Sequence, residues 1–380
     1  MKVLLMYEYP ASPGGLAMQG ELLYQGLLEL GVDVYPVHFE SSMEKEWYYR
    51  WFKPDVAVGV GYWGYTPSLI LHPQQSGVLP VPWLVADGYI ANYQDVLNDL
   101  PLILVTSQWV KEMYIRDGID GSKIEVLPVG CNTDKFKPIP ANHPEVMAVR
   151  QALGIAPDEL LILTAGGDAC SKGAQEVMKA LAEIAPVMPP WKYVCKVWPQ
   201  ARTYKQNVLD MQLATQLGIA DHVKFATSII SRNYMPYLLN ACDIYAGPSR
   251  IEGFGMIQVE AGACEKPVIG LNAMGMLDTM VHGQTALLAG IAEKITLSEV
   301  MLEDASYPDG HRLIQFASPR TVDYRASVND IRDALEQLIF SSEYRHQLGT
   351  AARQHVIQHF NYRKVAEKFV QIMADRLSIR

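Results

Sequence analysis

No Asp-x-Asp pair occurs anywhere in the 380 residues, and the nine histidines form no tight cluster. A site built on gathered carboxylate or imidazole metal ligands is therefore not expected, nor is any other cofactor. Cysteine is scarce as well. The five, at 131, 170, 195, 242 and 264, are odd in number and contain no Cys-x-x-Cys, which points to reduced thiols and a cytoplasmic protein. Lys and Arg number 32 against 41 Asp and Glu, a net charge of −9. That balance argues against nucleic acid as a partner, because phosphate backbones demand a basic face. The apolar run within Met1–Tyr7 is too short for a leader or a membrane span and reads as a strand, so no transmembrane segment is expected. Peripheral contact with a membrane stays open. There is no internal repeat and no low-complexity tract. The first strand is not followed by Gly-x-Gly-x-x-Gly, so the dinucleotide fingerprint is missing.

What is present fits two domains. Apolar residues make up 49% of a chain too long for a single core. Val3–Met6 reads as a buried strand, Pro10–Gly15 as a loop, Leu16–Leu30 as a helix stopped by Gly31, and Val32–Tyr35 as strand again. This is the opening of a doubly wound sheet. Gly14 and Gly15 end its first loop, either as a plain turn or as a place where a ligand approaches the backbone. Strands follow at Val56–Val60, Trp83–Ala86, Leu102–Thr106 and Ile124–Leu127, with Ser107 placed to cap a helix over 108–117. Pro138 to Pro157 holds four prolines and reads as a linker. A second series begins with the strand Leu160–Thr164, the glycine-bearing loop 166–173 and the helix Ala174–Ala185. Strands at Val194–Val197 and Val223–Ala226 then flank a helix over 204–217.

The organising stretch is Pro248-Ser-Arg-Ile-Glu-Gly-Phe-Gly-Met-Ile-Gln-Val-Glu260. It runs from a short buried strand, through a turn carrying Gly253 and Gly255, into a helix. A helix start of this kind offers unpaired N–H groups and the positive end of the helix dipole to phosphate. The block resembles the Glu-x7-Glu signature of glycosyltransferase family 4, with Glu252 and Glu260 as its glutamates. Lys172-Gly173 resembles the family's Lys-Gly, and Val126–Pro138 its interdomain segment. The likeness runs from about Lys2 to the C-terminus, apart from an apparent insertion at about 289–321.

The resemblance implies the α/β GT-B fold: two Rossmann-like doubly wound domains facing across a cleft. The expected boundaries are 1–138 for the acceptor-side domain, 139–157 for the linker and 158–360 for the nucleotide-sugar domain, with the last helix, 361–377, packed back on the first. The implied activity is a retaining hexosyl transfer from a nucleotide sugar, UDP-glucose being the donor favoured, to a hydroxyl of a glycan, a lipid-linked or a small-molecule acceptor. Lys172 and the backbone N–H groups of Phe254, Gly255 and Met256 would hold the diphosphate. Glu260 would bind the ribose and Glu252 the sugar, while Ile229 and Ile230 would rest under the base or lie in the core. Gly275 and Asp278 match the family's donor-sugar segment imperfectly.

Two positions depart further. The family's arginine five residues before the lysine is here Gly167, leaving Arg202, Lys196, Arg250 or backbone alone to complete the phosphate site. Asp87 stands where many relatives have histidine. It reads as a hydrogen-bond acceptor, as a base, or as a turn aspartate beside Gly88. A GT-B sugar-nucleotide epimerase and a non-catalytic sugar-nucleotide-binding protein are the alternative functions.

Overall fold

The structure is a computed structural model describing residues 1–303 and 310–379. Its first sheet contains β1 (Lys2–Tyr7), β2 (Asp33–His38), β3 (Val56–Tyr62), β4 (Pro80–Val85), β5 (Ile103–Val105) and β6 (Ile124–Val126), in the order β2-β1-β3-β4-β5-β6. Every neighbouring pair is parallel, with Leu4 opposite Tyr35 on one side and Ala57 on the other. Val3 to Tyr7 are fully buried. That is how a parallel sheet covered on both faces reads: a continuous apolar run rather than an alternation. Ser107 Oγ accepts from Val110 N at 3.1 Å and caps the helix Gln108–Arg116.

The second sheet contains β7 (Leu160–Ala165), β8 (Trp191–Val197), β9 (Val223–Thr227), β10 (Ile244–Ala246), β11 (Val268–Leu271) and β12 (Leu287–Ala289). Its order is β12-β11-β10-β7-β8-β9, again all parallel. The chain winds outward from β7 through β8 to β9, then returns to the other side of β7 with β10. The reversal between β7 and β10 opens a crevice at their carboxyl ends, the usual ligand position in such sheets. These two sheets with their flanking helices are the GT-B architecture.

The chain divides into two units at places that differ from the sequence expectation. Unit 1 comprises Met1–Pro128, Glu293–Tyr324 and Val365–Arg380; unit 2 comprises Val129–Ala292 and Arg325–Lys364. Residues 129–138 thus group with the second unit rather than the first. The expected linker 139–157 contains a helix, Pro144–Leu153. Its proline sits at the first helical position, where a missing N–H costs nothing and the fixed φ favours the helix. The expected insertion is a hairpin of β13 (Ile291–Glu303) and β14 (His311–Ala326), most of which groups with unit 1. Residues 304–309 of that insertion lie outside the described residues.

Candidate active site

In unit 2 the loops after β7 and β10, on either side of the strand-order reversal, are fastened to each other. Arg250 N donates to Ser171 O at 2.9 Å. Gly173 has φ +79°, and a Cβ there would stand 2.4 Å from Pro248 O. Only glycine meets both conditions, which accounts for the residue after Lys172. Lys172 Nζ then lies 2.7 Å from Glu252 Oε2. The other carboxylate oxygen, Oε1, accepts from Gly255 N at 3.2 Å. Gly275 N donates to Glu252 O at 3.1 Å, so the 275–278 segment also reaches this turn.

Gly255, with φ +90°, starts the helix Met256–Ala263. Of the three backbone donors expected to face phosphate, that of Gly255 is engaged by Glu252. Phe254 is buried and meets the Phe360 ring edge-on. Glu260 is 1% exposed, and its carboxylate is paired by both terminal nitrogens of Arg232, Nη1 at 2.8 Å. Arg232 in turn stacks over Phe136, 4.6 Å from the ring centroid. Burial pushes the Arg232 guanidinium down to about 10. The position of the Glu260 carboxylate is set by Arg232, and its oxygens keep further lone pairs. The sequence reading missed this partner. Arg232 lies just past the turn 227–231, between Ser231 and Asn233, and its only sign in the sequence is a lone cation there.

Ile229 is 67% exposed and Ile230 partly so, which removes the core alternative for Ile229. At Gly167 a Cβ would meet the Trp198 ring at 3.6 Å, ordinary contact, so packing at the Cβ does not demand glycine. Arg250 is committed elsewhere: its Nη2 bonds both Glu176 oxygens, at 2.8 and 3.0 Å, and Gln175. Arg202 is exposed in the helix Ala201–Gln216. Lys196 is buried at the end of β8.

Unit 1 holds the remaining candidates. Gly14 caps the helix Gly15–Glu29 with extended backbone, and a Cβ at Gly15 would meet open space. Asp87 is exposed in the loop after β4. That loop is clamped by the hairpin: a Cβ on Gly88 (φ +108°) would lie 2.7 Å from Thr321 O. Arg320 Nε lies 2.8 Å from Asp117 Oδ1, and Asp117 Oδ2 accepts from Ile90 N at 2.7 Å. No helix among the described residues is long and apolar enough to cross a membrane.

Residues 147–303 match the family described as Glycosyl transferases group 1. Curated relatives include the D-inositol 3-phosphate glycosyltransferase of Jonesia denitrificans, 30% identical over 202 residues, 52% of this chain and 47% of the relative. A GDP-mannose-dependent alpha-(1-6)-phosphatidylinositol monomannoside mannosyltransferase of Mycolicibacterium smegmatis is 26% identical over 196 residues, 50% of this chain and 48% of the relative. The matched stretch thus spans about half the length of these relatives. Among solved structures, sucrose-phosphate synthase from Thermosynechococcus elongatus has a TM-score of 0.75 at 17% identity, covering all of both chains. HepE of Anabaena, solved in complex with UDP and glucose, has a TM-score of 0.72 at 17% identity, covering 99% of this chain and 100% of that one.

Proposed function

We propose that the protein, whose residues 147–303 match the group 1 glycosyl transferases and whose chain is built on the GT-B plan, transfers a hexose from a nucleotide sugar to an acceptor hydroxyl. The observation that carries the reading is the Lys172–Glu252 pair beside the helix start at Gly255, at the strand-order reversal. A departing nucleoside diphosphate gains negative charge in the transition state. A lysine and preorganised N–H dipoles meet that charge without a metal ion. Glu260, held by Arg232, would take the ribose hydroxyls. Glu252 would face the donor sugar, and Asp87 the sugar or the acceptor.

The donor we favour is UDP-glucose, transferred with retention by a front-face route in which the departing phosphate takes the acceptor proton. The name of HepE's bound ligands supports uridine, whereas one curated relative is named for GDP-mannose, so both bases belong in the test. The acceptor would be a glycan, a lipid-linked or a small hydroxyl compound. A panel of UDP- and GDP-sugars with candidate acceptors, reading released nucleotide and the anomeric configuration of the product, tests this. UDP released only with acceptor present, and a retained anomer, is expected. Interconversion of the free sugar nucleotide without transfer would favour the epimerase instead.

A further inference from the structure

Unit 1 has a strand-order reversal of its own. From β1 the chain passes to β2 on one side and then to β3 on the other, so a crevice opens at the carboxyl ends of β1 and β3. Lys172, Glu252 and Glu260 all belong to unit 2 and leave the residues of this crevice unaccounted for.

Aromatic rings follow its rim in an unbroken series of contacts. Tyr62, the last residue of β3, is 36% exposed and meets Tyr65 with ring centroids 4.6 Å apart and Trp63 at 5.8 Å. Trp63 meets Tyr89, from the loop after β4, at 6.3 Å, and its Nε1 donates to Tyr89 O at 2.9 Å. Tyr89 meets Phe316 of β14 at 5.4 Å. Trp63, Tyr65, Tyr89 and Phe316 are half-buried. Rings fixed on one side and open on the other present apolar area that the fold does not itself consume. The last ring comes from the hairpin. Along β14 residues 312, 314 and 316 are half-buried while 311, 313 and 315 are exposed, so Phe316 lies on the inward face. The Arg320 guanidinium lies over its ring, 4.9 Å from the centroid.

Charge narrows what these rings can hold. Burial raises the Tyr65 phenol, and Tyr62, Glu8 and Glu40 raise it further; burial and then Asp87 and Tyr62 do the same to Tyr89. Three carboxylates therefore stand about the rings. The cations of this region are committed: Lys45 donates to Phe39 O at 2.6 Å and Ser68 O at 3.0 Å, Arg116 to Gly88 O at 2.8 Å, and Arg320 pairs with Asp117. His38 Nδ1 accepts from Glu40 N at 3.2 Å, which a protonated nitrogen could not do. A phosphate here would meet carboxylates. Sugar hydroxyls would find acceptors in those carboxylates, and the apolar C–H face of a pyranose would find the rings.

Resting on the transferase reading above, we propose that this rim is the acceptor subsite, that it takes an uncharged pyranose rather than a phosphorylated acceptor, and that Phe316 of the hairpin, with Tyr89 and Trp63, determines that choice.

Saturation-transfer NMR on the whole chain, without donor, tests it. The probes are methyl glucoside, methyl mannoside, cellobiose and maltose, set against glucose 6-phosphate and inositol 3-phosphate. At least one neutral sugar should receive saturation on its ring C–H protons and bind more tightly than either phosphate. Phe316→Leu should weaken that sugar by about five-fold or more, and Phe316→Tyr should restore it. Exchange of the Ile90 amide should stay at the wild-type rate in the Leu variant, which keeps loss of the ring apart from a loosened loop. Wild-type binding by Phe316→Leu, tighter binding of a phosphorylated probe, no transfer to any neutral sugar, or faster Ile90 exchange accompanying the loss would overturn the proposal. No donor takes part, so such a failure leaves the donor-site reading standing. If a neutral sugar binds but releases no nucleotide from any UDP- or GDP-sugar, the transferase reading falls and takes the acceptor role with it.

Discussion

Lys172 and Glu252, 80 residues apart, meet across the β7–β10 reversal at 2.7 Å, each side chain about one-fifth exposed. Under the proposed function, a diphosphate and Glu252 would compete for one ammonium, and that competition would separate the effects of changing each residue.

Lys172→Ala should lower turnover on the order of 10²-fold, because its charge meets more negative charge in the transition state than in the ground state. Nucleoside binding should change little. Steady-state rates with the preferred donor decide it; turnover within a few-fold of wild type would remove Lys172 from the chemistry.

Glu252→Gln should slow turnover while leaving nucleotide binding unchanged or tighter. The partly exposed ion pair it releases is worth roughly 0.2–1 kcal/mol, so any tightening is at most about five-fold. Weaker UDP or GDP binding by calorimetry would contradict the division of roles.

Glu260→Gln should act in the opposite sense, on nucleotide affinity and KM, because ribose is present equally in ground and transition states. It also leaves Arg232 without its carboxylate. The cost should be on the order of 1–3 kcal/mol, below that of a fully buried pair because the Arg232 side chain stays 20% exposed. Urea unfolding beside calorimetry separates the two effects. An unchanged midpoint with unchanged affinity would make the Glu-x7-Glu block a mere turn.

Activity should survive EDTA, since the sequence holds no Asp-x-Asp and the proposed chemistry uses lysine and N–H dipoles in place of a cation. Complete loss on chelation, restored by Mg²⁺ or Mn²⁺, would show that a cation belongs in the site.

Arg320→Ala should loosen the loop that carries Asp87. Asp117 keeps Arg116 at 2.8 Å, so the stability cost should be only about 1–3 kcal/mol. The Ile90 amide, bonded to Asp117, should exchange with deuterium faster. Unchanged exchange there would break the proposed link from hairpin to loop.

The strand-turn-helix frame of the candidate site was legible because part of what shapes it is local. A glycine must follow Lys172 where Pro248 crowds it, and a helix must begin at Met256 after a tight turn. Each leaves a glycine in the sequence, at 173 and 255, although the Pro248 that crowds Gly173 is 75 residues away. What escaped is non-local. Arg232 finds Glu260 28 residues away, and Arg250 finds Glu176 74 residues away. No spacing rule links such pairs. The hairpin had a readable sign, the alternation around Ile295 and Leu297, but only contacts with distant residues give it a place. The prolines of 138–157 misled because proline both breaks helices and begins them.

Unit 1 is assembled from three separate segments, the last beginning at Val365. During synthesis its sheet is complete once residue 126 has left the ribosome, yet the hairpin that clamps the Asp87 loop and the closing helix are still unmade. At ~5–20 residues per second the wait is on the order of ten to fifty seconds. Throughout it, the surface that Ala366, Phe369 and Met373 will cover stays open to water. Unit 2, continuous up to Ala292, has most of its chain available before the first unit can close. The half translated first is thus the half finished last, and a fragment cut at Pro128 would carry an uncovered apolar face into solution.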